Sequence, residues 1–380
     1  MGRFTEETEE HAIFRESVRG FIRKEVDPFF RDWEEQGAVT RDLWRKAGSA
    51  GLLCPQVPEA YGGPGCSFKY NTMVIEEFTG KGFIGPVNNF SVHSDVCAGY
   101  LLSYGTEEQK KTWLPKMVSG ETVCAIAMTE PGTGSDLQAV KTRAKQAGDH
   151  FVINGSKTFI SNGQLADLVI VVAKTGNEDG AAGVSLILVE SEREGFERGR
   201  NLDKIGHHSA DTSELFFSDV KVPLSNLLGS EGSGFGALMS ELPQERLTIA
   251  VASIGAAQHA FDITRMYMQE RKAFGKPIIK FQANSHKMAD LKADLSVGWA
   301  FVDQCIKQHE RGELTPADAS IAKLWCSELQ GKLVDQCLQF FGGYGFMKEY
   351  EISRLFNDAR VQRIYGGTSE IMRELISRYL

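Results

Sequence analysis

The first third of the chain carries apolar residues at the spacing of amphipathic helices. Phe14, Val18 and Phe21 recur three or four residues apart among charged neighbours, which places them on one helix face. A similar pattern runs over 73–78, and the glycine-rich segment 61–65 separates the two patterns as a loop. The pattern therefore predicts a helical N-terminal region.

The middle of the chain has the short apolar runs that are typical of β-strands. Residues 168–172 and 184–189 are mainly apolar and have the length of a strand, which predicts buried strands. Asn154 and Gly155 stand between two short apolar triplets. This arrangement predicts a β-hairpin that turns at the Asn-Gly pair.

The last part of the chain has a helical pattern again. Three of its stretches lack proline, and these are 244–276, 278–315 and 317–380. A helix that filled either of the first two would be about 45–55 Å long at about 1.5 Å per residue. Helices of that length usually pack side by side, so we expect a helical bundle.

The chain is thus predicted to have three domains, with limits at 1–125, 126–230 and 231–380. The order of helices, strands and helices differs from the βαβ alternation of a dinucleotide-binding sheet. The glycine cluster 232–236 does not follow a predicted strand and misses the GxGxxG spacing. We therefore interpret the cluster as a flexible helix entry and reject a Rossmann site.

Charge and cysteine usage exclude several classes of protein. The 380 residues carry a net charge of −8, and an acidic surface repels phosphate backbones, so we expect no nucleic acid partner. The seven cysteines contain no Cys-x-x-Cys motif, which indicates reduced thiols. No apolar run approaches the roughly 18 residues of a membrane span, and the N-terminus lacks the features of a signal peptide. These features predict a soluble intracellular protein. His207 and His208 have no further metal ligands at suitable spacing, so we expect no bound metal.

Two motifs of the middle region could carry chemistry, although each also has an ordinary structural interpretation. The loop 128–136 is rich in glycine and hydroxyl groups, which suits a phosphate or a flavin edge but also a plain polar loop. Phe159 and Ser161 are two positions apart on a predicted strand, so both should lie on one face. Phe159 could stack on a flat ring while the Ser161 hydroxyl forms a hydrogen bond to the edge of that ring. Alternatively, Phe159 is a core residue and Ser161 a surface residue.

Three further motifs lie in the C-terminal region. In 270–277, cations precede Gly275, which favours either a helix end or an Arg fork for a diphosphate. The segment 339–345 combines aromatic residues with glycines. In 365–368, Thr368 follows two glycines before a helical run, so it could cap that helix or help to hold an anion at its N-terminus.

Together, in this order and spacing, the motifs resemble the acyl-CoA dehydrogenase family over essentially the whole chain. The runs at 241–246, 272–276 and 364–368 most resemble the long-chain branch, and 204–223 looks like the end of the family's middle domain. The resemblance implies an N-terminal α-helical domain, a middle β-barrel-like domain and a C-terminal four-helix bundle. It also implies non-covalent FAD, an acyl-CoA substrate and a homotetramer built as a dimer of dimers.

The resemblance also assigns cofactor contacts by position. Phe159 falls where the family commonly has Trp against the isoalloxazine ring, and Ser161 falls where a hydroxyl faces flavin N5. Ser135 is implied in substrate binding as well. The implied FAD contacts are Met128, Thr129, Ser135, Phe159, Ser161, Arg271, Phe274, Gln282, Gln339, Gly343, Thr368 and Glu370. Of these, the five residues from Arg271 to Gly343 would reach the FAD of the neighbouring subunit.

The resemblance also indicates the catalytic base. Many members keep a carboxylate at the position of Gly366, whereas Glu245 matches the relocated base of the long-chain and isovaleryl branches. That base would take the α-proton while the β-carbon gives hydride to flavin N5, and the N–H of Gly366 would bond the thioester carbonyl. Arg246 matches a residue near the CoA thioester. Without the resemblance, Glu245 would be interpreted as a surface charge that pairs with Arg246 or Lys272.

The predicted function is FAD-dependent α,β-dehydrogenation of an acyl-CoA thioester to the trans-2-enoyl-CoA in fatty-acid β-oxidation. Electron-transferring flavoprotein is the expected acceptor. The alternatives are a branched-chain acyl-CoA dehydrogenase, an acyl-CoA oxidase-like flavoenzyme and a non-catalytic acyl-CoA-binding scaffold. The predicted location is the bacterial cytoplasm, and the mitochondrial matrix is the alternative for a processed form. Acyl length stays open because the sequence does not give the depth of the acyl tunnel.

Overall fold

The N-terminal part of the molecule is a set of helices joined by short loops. The computed structural model describes residues 7–176 and 180–380. Thr8, Thr40 and Thr106 each accept a hydrogen bond from the backbone N–H three residues on, as N-cap residues do. The helices are α1 (Glu9–Phe21), α2 (Phe30–Gln36), α3 (Arg41–Ser49), α4 (Phe68–Thr79), α5 (Ile84–Ser91), α6 (Ala98–Tyr104) and α7 (Glu107–Val118).

A π-helical segment, Val92–Cys97, joins α5 directly to α6. Single π-helical turns within helices occur frequently at functional sites. The fully buried Trp44 of α3 packs against this region, with ring centroids 4.9 Å from Phe90 and 5.2 Å from His93. This packing anchors the helix that carries Tyr100, which is also fully buried.

The middle of the molecule is a mainly antiparallel sheet of eight strands. The strands are β1 (Cys124–Ala127), β2 (Arg143–Ala147), β3 (His150–Ser161), β4 (Leu168–Lys174), β5 (Val184–Glu190), β6 (Phe196–Asn201), β7 (Thr212–Pro223) and β8 (Leu227–Leu228). Their order is β6-β7-β3-β2-β4-β5-β8, and β1 pairs with β4 in parallel. The predicted central β domain is confirmed.

Strands β4 and β5 are buried on both faces, which explains their apolar sequences. Ile170 and Leu188 belong to a core shared with the helices, whereas Val171 and Ile187 belong to a second core formed by the sheet itself. Successive side chains of a strand point to opposite faces. Both faces of these two strands therefore need apolar residues.

The hairpin predicted at Asn154 and Gly155 is wrong. Strand β3 runs through both residues without turning, and the chain reverses earlier, at a two-residue turn between β2 and β3 that contains Gly148. The side chain of Asn154 exchanges hydrogen bonds of 2.9 Å with Asp219 of β7. The pairing of β3 with β7 shifts register between Ile153 and Gly155, so the Asn-Gly pair marks a bulge rather than a turn.

Long helices dominate the C-terminal part. They are α8 (Gly234–Glu270), α9 (Gln282–Glu310), α10 (Pro316–Phe341), α11 (Glu351–Asp358) and α12 (Ser369–Ser377). Helix α10 packs against the other four, and α8 also packs against α9 and α11. The helical bundle is thus confirmed as part of a three-domain fold with helical ends and a central sheet, while the exact domain limits stay predictions. No helix among the described residues is long and apolar enough to cross a membrane.

Helix α8 begins within the glycine cluster that was interpreted as a helix entry, but it ends earlier than the sequence predicts. It begins at Gly234 and includes Pro243, so the proline lies inside the helix. At about 1.5 Å per residue its 37 residues span about 55 Å. It ends at Glu270 and is followed by a small hairpin of β9 (Lys272–Ala273) and β10 (Lys276–Pro277). The predicted helix end at Gly275 is therefore wrong by five residues.

Candidate active site

An apolar cavity lies where the two helical parts meet the sheet. Its volume is about 120 Å³. Glu245 and Gly366 both line it, although they are far apart in the sequence. The other lining residues are Ile84, Val87, Asn88, Ser91, Val92, Val96, Ile126, Thr248, Ile249, Ala252, Gln362 and Tyr365. The cavity is thus bounded by α5, the π-helical segment, β1, α8 and the chain before α12.

Glu245 is a buried acid in this apolar setting. Only 9% of the residue is exposed, and the Tyr100 hydroxyl donates a hydrogen bond of 2.9 Å to its Oε1 atom. Burial raises the pKa of Glu245 to about 7, against the lowering effects of the Tyr100 hydrogen bond and the Arg246 charge. A carboxylate with a pKa near neutral suits a general base. The interpretation of Glu245 as a solvated surface charge is therefore wrong.

Gly366 has a backbone that favours glycine and little room for a side chain. Its φ is +62°, in the left-handed region where other residues are strained. A Cβ atom here would lie 2.3 Å from Cδ1 of Ile249. A glutamate at this position would therefore need the end of the Ile249 side chain to move.

Two buried cations lie behind this part of the site. Arg246 is 5% exposed and burial lowers its pKa, and its Nε atom has no hydrogen-bond partner within the described part of the chain. Lys323 is fully buried, and its Nζ atom donates a 2.7 Å hydrogen bond to the carbonyl of Gly367. Burial, followed by the charge of Arg246, lowers the pKa of Lys323 to about 8. Lys323 was not predicted, because a single Lys in a helix carries no motif. Arg246 is not among the residues that line the cavity.

The loop after β1 is tied to strand β3 by a buried ion pair. Lys157 donates 2.9 Å and 3.0 Å hydrogen bonds to the Glu130 carboxylate and to the carbonyl of Met128. The backbone N–H of Thr158 donates to the carbonyl of Thr129 at 3.0 Å. Glu130 also accepts from the backbone N–H groups of residues 141 and 142. The predicted contacts Met128 and Thr129 are therefore held beside β3, where Phe159 and Ser161 lie.

Phe159 is a large aromatic residue left on the surface of the sheet. It is 68% exposed with a φ of +59°, while Ser161 is half-buried. The pairing of β3 is irregular between Lys157 and Ile160. Regular strand alternation is thus interrupted here, and the two-residue spacing alone does not place Phe159 and Ser161 on one face.

A second cleft lies at the end of the helical bundle. Arg271, Gln339 and Gly343 line it, and the Arg271 guanidinium sits 5.9 Å from the ring centroid of Tyr344. Phe274 is at the tip of the β9–β10 hairpin and is 95% exposed. Its ring meets the ring of Phe281 edge-on, with 6.2 Å between the centroids, and the rest of the side chain faces outward. These residues share no lining position with the apolar cavity.

The remaining predicted residues lie at helix starts and in the glycine-rich loop. Gln282 is the first residue of α9 and is exposed. Thr368 is the N-cap of α12 and accepts a 3.3 Å hydrogen bond from the N–H of Ile371. Glu370 is exposed in the first turn of α12, and a backbone N–H and Thr368 lower its pKa. Ser135 is exposed.

Three family models match consecutive parts of the chain. They describe the acyl-CoA dehydrogenase N-terminal domain at residues 8–121, the middle domain at 125–220 and the C-terminal domain at 232–380. The chain belongs to the acyl-CoA dehydrogenase family. It is therefore an FAD-dependent oxidoreductase, as the sequence predicted.

Individual relatives agree with this assignment. The long-chain specific acyl-CoA dehydrogenase of rat mitochondria (Rattus norvegicus) is 50% identical over 98% of this chain and 86% of its own length. The crystal structure of an acyl-CoA dehydrogenase from Geobacillus kaustophilus matches with a TM-score of 0.97 and 44% identity, over 100% of this chain and 99% of the other. The structure of a glutaryl-CoA dehydrogenase from Mycobacterium smegmatis in complex with FADH2 matches with a TM-score of 0.91 and 28% identity. The match covers 98% of this chain and 95% of the other.

The exposed surfaces of this chain fit a flavin cofactor. Phe159 offers an uncovered aromatic face on the sheet, against which a flat ring can stack. At Gly132 and Gly134 a Cβ atom would meet nothing within 4 Å beyond the chain neighbours. A diphosphate can therefore approach the backbone amides of this loop closely. The residues present therefore suit FAD in their chemistry.

Proposed function

We propose that the protein dehydrogenates an acyl-CoA thioester between its α and β carbons, with Glu245 as the base that takes the α-proton. One observation carries the proposal: a buried carboxylate with a pKa near 7 lines an apolar cavity that Gly366 also lines. An apolar acyl chain fits such a cavity. The product is the trans-2-enoyl-CoA.

Gly366 supplies the second function of the site. Its backbone N–H would donate a hydrogen bond to the thioester carbonyl, on which negative charge develops as the α-proton leaves. The bond from Lys323 to the carbonyl of Gly367 holds this turn in place. Because the donor is a backbone group, the carbonyl site needs no carboxylate at position 366.

Bound FAD supplies the acceptor for the hydride that leaves the β-carbon. Met128, Thr129 and Ser135 would hold its flavin and diphosphate portions, with Phe159 against the ring and Ser161 at its edge. Residues of the second cleft would reach the FAD of a neighbouring subunit. Those residues are Arg271, Phe274, Gln282, Gln339 and Gly343, while Thr368 and Glu370 would contact FAD from the start of α12.

We further propose a long straight acyl chain as substrate and fatty-acid β-oxidation as the pathway. The support is about 50% identity to long-chain specific relatives together with the apolar lining of the cavity. Electron-transferring flavoprotein as acceptor, a homotetramer, and the bacterial cytoplasm or the mitochondrial matrix as location remain predictions from the sequence. A branched-chain substrate is the second candidate, because the same base position occurs in the isovaleryl branch.

An anaerobic titration tests the proposal. Purified protein with FAD is mixed with acyl-CoA thioesters from short branched to long straight chains, and bleaching of the flavin band is recorded. We expect long straight chains to bleach it. Bleaching by branched thioesters alone would move the substrate assignment to that class, whereas no bleaching by any thioester would contradict the proposed reaction.

A matched pair of variants tests the base. Glu245→Gln should bind acyl-CoA yet fail to reduce the flavin. Glu241→Gln, one helical turn away and also raised in pKa by burial, should keep reduction. Equal reduction in both variants would refute Glu245 as the base. Rapid reoxidation of the reduced protein by air would indicate an oxidase instead of a dehydrogenase.

A further inference from the structure

The carboxylate of Glu245 is held from one side only. Tyr100 donates to Oε1 at 2.9 Å, and within the described part of the chain no donor is bonded to Oε2. Tyr100 is fully buried and comes from α6, whereas Glu245 lies on α8. The bond therefore joins the N-terminal helices to the C-terminal bundle at the wall of the cavity.

We propose that Tyr100 is a positioning residue that holds Oε1 of Glu245 and so presents Oε2 to the α-carbon of the substrate. The inference rests on the proposed function, in which Glu245 is the base. A Glu side chain has three rotatable bonds, and an unrestrained carboxylate at the wall of an apolar cavity would sample several orientations. Proton abstraction depends on close alignment of the reacting atoms.

The chemistry of Tyr100 suits this task. Burial and then the negative charge of Glu245 raise its pKa well above the ordinary value, so the hydroxyl stays protonated and remains a donor. A donor to the ionised carboxylate stabilises that form. Tyr100 thus opposes the effect of burial on Glu245 and keeps the base ionisable near neutral pH.

Other titratable groups around Glu245 also influence its ionisation. On α8 itself, Arg246 favours the ionised carboxylate and Glu241 disfavours it. Cys97, from the π-helical segment, interacts electrostatically with Glu245 and has a strongly raised pKa because of burial, so it stays neutral. Lys323 of α10 faces Arg246. Removing the hydroxyl of Tyr100 leaves all these groups in place.

Tyr100→Phe is the direct test, because it removes one oxygen and keeps the buried ring. The rate of anaerobic flavin reduction by a saturating thioester is measured against pH for the wild type, Tyr100→Phe and Tyr104→Phe. A hydrogen bond to a charged group is strong enough to move an apparent pKa upward by about one to two pH units. We expect that shift in Tyr100→Phe, together with a slower plateau rate at unchanged FAD content.

Tyr104→Phe is the matched control. Tyr104 lies on the same helix, 6.3 Å from Tyr100 between ring centroids, and its hydroxyl bonds Ser240 and Glu241 rather than Glu245. Its pH profile should follow that of the wild type. An equal shift in both variants would indicate a general change of the helix and would overturn the inference.

An infrared titration provides a readout that does not depend on turnover. The difference between wild type and Glu245→Gln isolates the carboxyl band of Glu245, and the same difference in the Tyr100→Phe background should titrate at higher pH. Should Tyr100→Phe not fold, the wild-type band alone decides, because a carboxyl without a hydrogen bond would overturn the inference. If the pH profiles of the wild type and Tyr100→Phe coincide while Glu245→Gln is inactive, the role of Tyr100 is refuted but the role of Glu245 as the base stands. An active Glu245→Gln would refute the base itself.

Discussion

Replacing Glu245, the proposed base, by Gln should stabilise the folded protein at alkaline pH. Burial raises the pKa of Glu245 from 4.5 to about 7. Each pH unit between folded and unfolded values corresponds to about 1.4 kcal/mol, so the ionised carboxylate costs the folded state about 3 kcal/mol above pH 7. Gln has nearly the same shape and carries no charge, so the variant avoids this cost.

The pH dependence follows from proton binding in the two states. Between pH 4.5 and about 7, the folded protein keeps a proton on Glu245 that the unfolded chain has lost. The stability contributed by this group therefore falls as pH rises through that window. Below the window both states are protonated and the two proteins should differ little. Above it the full difference should be present.

Urea unfolding of the wild type and Glu245→Gln, each at the same FAD concentration, would measure this difference. The stability gap should grow from below about 1 kcal/mol at pH 5 to about 3 kcal/mol at pH 8. Glu241→Gln is the control, and its gap should be smaller because Glu241 is only partly buried. A gap that is the same at both pH values would refute the reasoning, since a packing change does not titrate.

Three other substitutions test separate features. Gly366→Ala should lower the free energy of unfolding by about 1–2 kcal/mol, because residue 366 has a left-handed backbone, and it should weaken acyl-CoA binding. The control Gly236→Ala, in an open helical position, should be neutral or stabilising in urea unfolding. Lys157→Met should lower the free energy of unfolding by about 3–5 kcal/mol, because it leaves the Glu130 carboxylate buried without its cation. It should also lower FAD retention after gel filtration. Phe274→Ser should leave the far-UV circular dichroism unchanged, because the side chain is 95% exposed, but should raise the Kd for FAD. Unchanged FAD binding in that variant would contradict the role of the hairpin tip.

The fold was largely predictable because its main signals are local. Apolar runs such as 168–172 are long enough to identify buried strands, and proline-free stretches identify long helices. The errors arose where tertiary contacts override a local preference. Asn154 bonds Asp219 on a neighbouring strand, so an Asn-Gly pair that favours a turn lies within a strand. Pro243 is accommodated inside α8, although a proline in a helix interior removes one backbone hydrogen bond.

The candidate site was predictable only in part. Glu245 and Gly366 came from the resemblance to a family, and the structure places both on one cavity. Tyr100 and Lys323 were missed because neither belongs to a motif. Each acts through one hydrogen bond to a residue distant in sequence. Pairings of this kind depend on how helices pack, and the periodicity of a single helix does not contain them.

The proposed mechanism explains how the base can change position within one fold. That mechanism needs a carboxylate near the α-carbon and an N–H donor at the thioester carbonyl. In our proposal the donor is the backbone N–H of Gly366, which is independent of the side chain at that position. The carboxylate can therefore come from any wall that reaches the α-carbon. In this chain Ile249 fills the space next to Gly366, and Tyr100 is placed to orient an acid on α8. The absence of a side chain at 366 and the presence of Tyr100 are thus two parts of the same arrangement.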